Sequence, residues 1–413
     1  MRHHFPFMGM MSFFIIITCD WNDTHLKKTV TLKKNEESRI IKGHLWAFSN
    51  EVKTVSGDPE AGDLVELKSN SDKFLGLGFF NPHSLIAVRL LTRDKEEIGF
   101  DFFRKRIETA RMLREKIYRD TYRLVHGESD FLPGLIIDKY NNFLAIQTLA
   151  VGMDRRLTLI CDVLESIFHP TGIIERNESH LRLLEGLEQK KGIIRGTIEP
   201  TIIDEYGIRY RVNLQEGQKT GFFLDQRENR RIFRRYVRDG KVLDCFCNEG
   251  GFALNAIHGG AGVVVGIDIS DHAIKCAREN VELNKMNSLV NFSVKDAFEF
   301  LREGISKNEK YDIINLDPPS FTKSKKNVSD AKRAYKEIHA NAIKILKDGG
   351  ILSTSSCSYN ITEETFIEII NESANHLGRK ISILEWHGAA PDHPVLPSMP
   401  ETKYLKYGIF CLE

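Results

Sequence analysis

The chain has 413 residues, too many for one ordinary core, so two or three domains are expected. A composition of 41% hydrophobic and 28% charged residues, with no low-complexity tract, excludes a disordered or fibrous protein. The 58 Lys+Arg nearly cancel the 57 Asp+Glu, so net charge neither implies nor excludes nucleic acid and the placement of charge must decide.

Residues 1–27 stand apart. The apolar run from Met8 to Thr18 falls short of the roughly 20 residues that span a bilayer. Arg2 precedes it as in a signal peptide, but no small-residue cleavage site comes before the polar Cys19-Asp20-Trp21-Asn22. A dispensable extension, or a start placed too far upstream, is expected, with no membrane as partner. Cys19, Cys161, Cys245, Cys247, Cys276, Cys357 and Cys411 show neither a paired framework nor zinc spacing. They read as free thiols of a reducing cytoplasm.

Residues 28–98 read as a small β domain, with strands at Val30-Thr31-Leu32, Leu64–Leu67, Phe74–Gly78 and Ile86–Leu90 between Gly, Pro and Asn turns. The period then changes. Phe103, Ile107, Ala110, Leu113 and Ile117 fall at helical spacing and open a central α/β block, residues 99–199. Strands near Leu135–Asp138, Phe143–Ile146 and 171–175 and a helix near 153–168 complete it.

Residues 200–413 form the third block. After a strand at 207–213, strands alternate with helices: Lys241–Asp244, Gly262–Asp268, Val290–Val294, Tyr311–Asp317 and Gly350–Thr354, separated by Phe252–His258, His272–Asn284, Ala297–Glu303 and Asp330–Leu346. Such alternation predicts a doubly wound, largely parallel sheet whose ligands bind outside the carboxyl ends of its strands. Those ends read Asp244-Cys245-Phe246-Cys247-Asn248-Glu249-Gly250-Gly251, then Asp268, Asp296-Ala297, Asp317-Pro318-Pro319 and Ser356-Cys357-Ser358. The first lacks the glycine spacing of a dinucleotide site. A carboxylate closing the next strand suits a ribose diol, because an acid is best satisfied by paired donors. Asp244, Asp268, Asp296 and Asp317 in register point to S-adenosylmethionine, although any one of them alone could be a helix cap or a surface acid.

These residues, with Gly43-His44-Leu45-Trp46-Ala47-Phe48, His126-Gly127-Glu128-Ser129-Asp130-Phe131-Leu132-Pro133-Gly134-Leu135, Gln218-Lys219-Thr220-Gly221-Phe222-Phe223-Leu224-Asp225-Gln226-Arg227, Asp392-His393-Pro394 and Tyr404-Leu405-Lys406, carry a resemblance. From about Thr29 to its last residues the chain resembles the bacterial 23S ribosomal-RNA cytosine-C5 methyltransferases of the RlmI type. The resemblance implies a PUA-type barrel-like domain, a central α/β domain and a class I methyltransferase domain with a Rossmann-like sheet. It implies 23S ribosomal RNA as partner, naked or in an assembly intermediate, and allows a homodimer. Thr220, Phe222, Phe223, Asp225 and Arg227 are implied to bind the cofactor. So are Asp244, Phe246, Asn248, Gly250, Asp268, Ile269, Asp296, Ala297, Asp317 and Pro318. In one departure, the first loop reads Cys247-Asn248-Glu249-Gly250-Gly251 where the family more often carries Tyr-Thr-Gly-Gly, with the glycines kept.

Cys357 at a strand end is the expected nucleophile. Cytosine C5 becomes nucleophilic only once a thiolate has added to C6, and Asp317 on the adjacent strand would hold the N3/N4 edge of the base. A structural cysteine is the competing reading. The Asp317-Pro318-Pro319-Ser320 turn would then serve methylation of a guanine or adenine nitrogen, and a non-catalytic RNA-binding assembly factor is a third reading. Arg227, Arg230, Arg231, Arg234, Arg235 and Arg238 recur on one helical face and read as a phosphate track, with a solvated face as the alternative. Lys323, Lys325 and Lys326 add a cluster beside the chemistry, where a flipped base would enter.

Overall fold

The computed structural model describes residues 28–217, 220–286, 289–322 and 327–413. The expectations for residues 1–27 and for Lys323, Lys325 and Lys326 lie outside the described residues.

The N-terminal block is a six-stranded sheet built from β1 (Thr29–Leu32), β2 (Trp46–Phe48), β3 (Val52–Ser56), β4 (Leu64–Lys68), β5 (Phe74–Phe80) and β6 (Ile86–Thr92), with a short α1 (Ser38–Ile41). Its order is β2-β6-β5-β4-β1-β3. Val30, Leu32, Val65, Leu67, Val88 and Leu90 form its core. Gly78 has to be glycine, since a Cβ there would sit 2.5 Å from the Arg89 carbonyl oxygen of the paired strand. Strands β2 and β3 add to the expected set. The first has only three residues and the second is almost wholly exposed, so neither shows the alternation that marks a strand.

The central block holds α2 (Phe100–Arg114), β7 (Thr121–His126), β8 (Leu135–Tyr140), β9 (Phe143–Thr148), α3 (Val151–Asp154), α4 (Leu157–Phe168), β10 (Gly172–Asn177) and β11 (Lys190–Gly196). The sheet order is β11-β10-β9-β8-β7, with α3 and α4 supplying the crossover from β9 to its parallel neighbour β10. The hairpin of β12 (Thr201–Glu205) and β13 (Ile208–Val212) leads into the third block.

There, α5 (Arg227–Arg234) precedes β14 (Lys241–Cys245), α6 (Gly251–His258), β15 (Val263–Asp268), α7 (Asp271–Leu283), β16 (Val290–Val294), α8 (Ala297–Ser306), β17 (Tyr311–Leu316), α9 (Val328–Ile345) and β18 (Leu346–Ser356). Beyond the expected strands the structure adds α10 (Glu363–Asn375), β19 (Ile381–His387) and β20 (Lys406–Leu412). The seven-stranded order is β16-β15-β14-β17-β18-β20-β19, parallel through β18, after which β20 runs antiparallel to both neighbours. The order reverses direction between β14 and β17, and the carboxyl ends of those two strands open the crevice. No helix among the described residues is long and apolar enough to cross a membrane.

A buried polar seam fastens the central block to the third. The guanidinium of Arg114 is fully buried, grips both Asp130 oxygens at 2.5 and 2.7 Å, and donates to the Asp392 carbonyl at 3.1 Å. Asp392 accepts the Arg123 N–H at 2.9 Å and faces the His393 ring at 2.8 Å. Against the opposing effect of burial, the hydrogen bond and charge interaction with His393 and the Arg227 charge hold the Asp392 carboxyl below its usual range.

Candidate active site

The loop after β14 is shaped by three left-handed residues, Phe246, Asn248 and Gly250, with φ of 61°, 47° and 82°. It turns the chain sharply into α6. Gly250 tolerates no side chain, because a Cβ would lie 2.8 Å from Leu254 Cδ1. Asp268 at the end of β15 locks this loop, accepting the Asn248 N–H at 3.0 Å on one oxygen and the Ser270 N–H at 2.9 Å on the other. A carboxylate has about four acceptor sites, so capacity remains for two hydroxyl donors. Beside it, Ile269 is 72% exposed, an apolar surface of the kind a purine ring covers. Asp296 caps α8 by accepting the Glu299 N–H at 3.0 Å, and Ala297 opens that helix.

Two acids here are poorly compensated. Asp244 accepts the Asn315 amide at 2.8 Å, the Ala253 backbone N–H also acts on it, and its buried Oδ2 has no close partner among the described residues. Burial, reinforced by the nearby Asp317 and Asp268 charges, pushes its carboxyl up to about 7. Glu249 likewise has an enclosed Oε2 without a partner, and burial pushes it up to about 8 although Arg230 pulls the other way. S-adenosylmethionine carries two positive charges, on its sulfonium and its ammonium. Enclosed carboxylate oxygens lacking donors are the complement such a ligand requires, so the residues present fit it.

A brace of hydroxyls presents Cys357. Along β18 the Ser353 hydroxyl donates to Asn315 Oδ1 and accepts from the Tyr407 hydroxyl, both at 2.8 Å, and Thr354 meets His339 Nε2 at 2.9 Å. Ser355 donates to Asp317, while Ser356 and Ser358 share the Tyr335 hydroxyl at 2.9 and 3.1 Å. The serines flanking the cysteine are therefore consumed in holding β18 against β17 and α9. Cys357, one residue beyond the strand, is half-buried. Cys245 and Cys247 are buried, and burial raises both thiols well above the usual range. Asp317 also accepts the Gln226 amide at 3.0 Å, so two donors from separate elements orient its carboxylate. Ser355 and Gln226 were not among the expected site residues. Gln226 lies within a quoted motif, and Ser355 is signalled only by its spacing two residues before Cys357.

Other expected site residues fall elsewhere. The hydroxyl of Thr220 is buried and donates to Asp138 of the central block. Phe222 is buried against Tyr210, with ring centroids 4.9 Å apart. Arg227 is buried, pairs with Glu205 at 3.1 Å and lies over the Tyr118 ring. These three side chains have protein partners, and the Asp138 and Tyr118 contacts reach across to the central block. Phe223 is half-buried, Asp225 accepts the Tyr404 hydroxyl at 2.6 Å, and Pro318 is buried behind Asp317.

The phosphate track also needs correction. Arg230 is 3% exposed and grips Glu205, at 2.7 Å in its closest contact. Arg234 donates to Asn255 Oδ1 at 2.7 and 3.1 Å, and Arg231 stays exposed over the Tyr206 ring at 4.5 Å. The helical spacing is real, but Glu205 at the end of β12 draws the stripe's first turn inward, since a buried guanidinium needs a paired acid.

A seven-stranded sheet of this order, with acids at successive strand ends, defines a class I S-adenosylmethionine-dependent methyltransferase. The S-adenosylmethionine-dependent methyltransferase family model matches residues 192–399, and a PUA-like domain model matches residues 30–93. Ribosomal RNA large subunit methyltransferase I of Escherichia coli O139:H28 is 38% identical over 390 residues, covering 92% of this chain and 98% of the relative. The protein of that name from Shigella dysenteriae serotype 1 matches with the same identity and coverage. A solved putative S-adenosylmethionine-dependent methyltransferase from Streptococcus mutans shares the fold, with a TM-score of 0.81 at 21% identity over 93% of this chain and 99% of that one. A crystal structure of a putative methyltransferase complexed with SAH aligns equally well, at TM-score 0.81 and 22% identity over the same shares. The chain belongs to the ribosomal RNA large subunit methyltransferase I family, and it is an S-adenosylmethionine-dependent enzyme.

Two expected results follow from the cofactor cleft. Asp268→Ala should weaken S-adenosylmethionine binding by about 1.5–3 kcal/mol, the scale of charge-assisted hydrogen bonds. Unchanged affinity by calorimetry in a folded variant would remove Asp268 from the site. Glu249 should make the ligand-free protein less stable as pH rises. Its folded-state carboxyl titrates near 8, above the ordinary 4.5, so the native state binds the extra proton between those values and stability falls across that window. Glu249→Gln, which cannot ionise, should gain about 2 kcal/mol on wild type between mildly acidic and mildly alkaline pH. Parallel melting curves for the two proteins across that range would contradict this.

Proposed function

We propose that this enzyme methylates C5 of a cytosine in large-subunit ribosomal RNA, through a transient bond between Cys357 and C6. The carrying observation is the placement of Cys357. It is the half-buried thiol at the end of β18, beside Asp317 at the end of β17, and Ser355 bridges the two strand ends. The RNA substrate is supported by the name its relatives bear and by the PUA-like domain ahead of the catalytic block.

The cofactor, when bound, supplies an electrophilic methyl group. The chain supplies the rest. Cys357 sulfur adds to C6, the C5–C6 π electrons move into the ring and C5 gains enamine character, able to take the methyl. Asp317, held by Gln226 and Ser355, faces the N3/N4 edge and steadies the proton that the adduct gains there. The C5 proton then passes to water, the C6–sulfur bond breaks with its electron pair returning to Cys357, and aromaticity returns. Asp268, Asp296 and the loop from Phe246 to Gly250 hold the cofactor, and Asp244 and Glu249 face its positive charges. The target base must be flipped out of any stack to expose both carbons. An enzyme with this substrate would work where ribosomal RNA is made and assembled, which we take to be the cytoplasm.

Mass mapping of ribosomal RNA tests this reading. RNA from cells lacking the gene, incubated with the enzyme and S-adenosylmethionine, should gain one base methyl on a cytosine carbon. A methyl on a guanine or adenine nitrogen would replace the proposal with nitrogen methylation.

A further inference from the structure

Lys406 is a buried cation with no assigned task. It opens β20 directly opposite Ser356, the last residue of β18, and is 3% exposed. Its Nζ donates to the carbonyl of Ser358 at 2.7 Å and to that of Tyr404 at 2.8 Å. The ammonium is thereby fastened to the residue following Cys357 and to Tyr404, two residues ahead of it in its own chain segment. Carbonyl oxygens satisfy hydrogen bonds without cancelling charge. No carboxylate among the described residues lies within 4.0 Å of Nζ, and the nearby Glu363 is taken by Lys403 at 2.8 Å. A buried amine in this state either gives up its proton or is held charged by an anion.

The groups around it identify that anion. Lys406 interacts electrostatically with Cys357, Glu363 on α10 and Lys403. Cys357 is approached in turn by Tyr335 on α9, which also senses Asp317, and by Tyr404. Both tyrosines are held neutral by burial and by acids. Lys406 is the cation of this cluster closest in chain pairing to the thiol.

The geometry points to Lys406 as a positioning residue for the methyl transfer: its ammonium holds Cys357 as the thiolate and pins the turn that presents it. The inference rests on the reading of Cys357 as nucleophile. The thiol proton leaves through the half-open face of Cys357 to water, and the sulfur keeps the electron pair it needs for C6. Burial draws Lys406 down to about 8 even though the charges of Cys357 and Glu363 pull it upward. Each charge therefore sustains the other.

The test reads the thiol itself. Cys357 in the full chain is alkylated with iodoacetamide across neutral and alkaline pH and quantified by peptide mass spectrometry, with Cys411 as internal control. The wild-type inflection should lie below the ordinary thiol value of about 8.5. Lys406→Met should raise it by at least about one pH unit, the scale of losing an adjacent opposite charge. Lys406→Gln keeps donors for the two carbonyls without the charge and should raise it equally, which separates charge from folding. Lys406→Arg should restore the low inflection, and the pH profile of methyl transfer should move in step. An unmoved inflection in a folded Lys406→Gln protein overturns the inference, even if Cys357→Ala is inactive. A shifted inflection beside an active Cys357→Ala protein would leave the ion pair standing and remove the nucleophile reading instead.

Discussion

Cys357→Ala is expected to lower methyl transfer by at least roughly a thousandfold, because members of a catalytic unit contribute far more than a single contact. Cofactor affinity should not change, since in the proposed mechanism the thiol acts on the base and not on the methionine end. Ribosomal RNA carrying 5-fluorocytosine should trap the wild-type enzyme covalently. Fluorine cannot leave C5 as a proton does, so elimination of the sulfur is blocked after methyl transfer. The alanine protein should give no adduct. Cys245 and Cys247 provide the internal comparison. Both are buried in and behind the cofactor loop, where burial keeps their thiols protonated, so replacing either should leave trapping intact. An alanine protein that methylates at near wild-type rate would return Cys357 to a structural role. The hydroxyl brace along β18 would then have another purpose.

The second large effect is on stability. Glu205 lies in a buried position with Arg227 and Arg230 both against it, at 3.1 and 2.7 Å. Glu205→Ala strands two guanidinium charges away from water and should cost about 3–5 kcal/mol, measured as the denaturant or thermal transition of the methyltransferase block. Removing Glu385, whose partner Arg235 is 60% exposed, should cost about 1 kcal/mol or less, because solvent screens that pair. The contrast separates burial from ion pairing as such. A Glu205→Ala protein as stable as wild type would mean that both arginines swing out freely, which would revive their reading as phosphate contacts.

The strand ends of the catalytic block were legible in the sequence for a plain physical reason. Parallel strands buried on both faces must be short continuous apolar runs, and the residue closing each run must sit at the ligand edge of the sheet. Val263–Ile267 is such a run, and Ile313-Ile314 and Leu316 carry β17, so Asp268 and Asp317 stand legibly at the ends of their strands. The motif segment from Thr220 to Arg227 was equally visible, but its side-chain destinations were not. Thr220 finds Asp138 across 82 residues of chain, a partner that no local pattern announces.

The sequence by itself determined the order of blocks, the alternating sheet, the acids at its edge and the cysteine beyond its fifth parallel strand, since each follows from periodicity and turn chemistry within a short window. Only the tertiary structure decided which way the arginines of α5 face and what Lys406 touches. A period of 3.6 residues says which side chains share a helical face. It cannot say whether a long cation on that face is solvated or neutralised by an acid brought from another element. Arg230 turns inward because β12 delivers Glu205 from 25 residues away. Lys406 meets the cysteine turn because β20 runs antiparallel to β18, so that its first residue pairs with Ser356 and its ammonium reaches a carbonyl 48 residues earlier. Those partners are matters of register between distant strands, and register is settled only when the whole sheet packs.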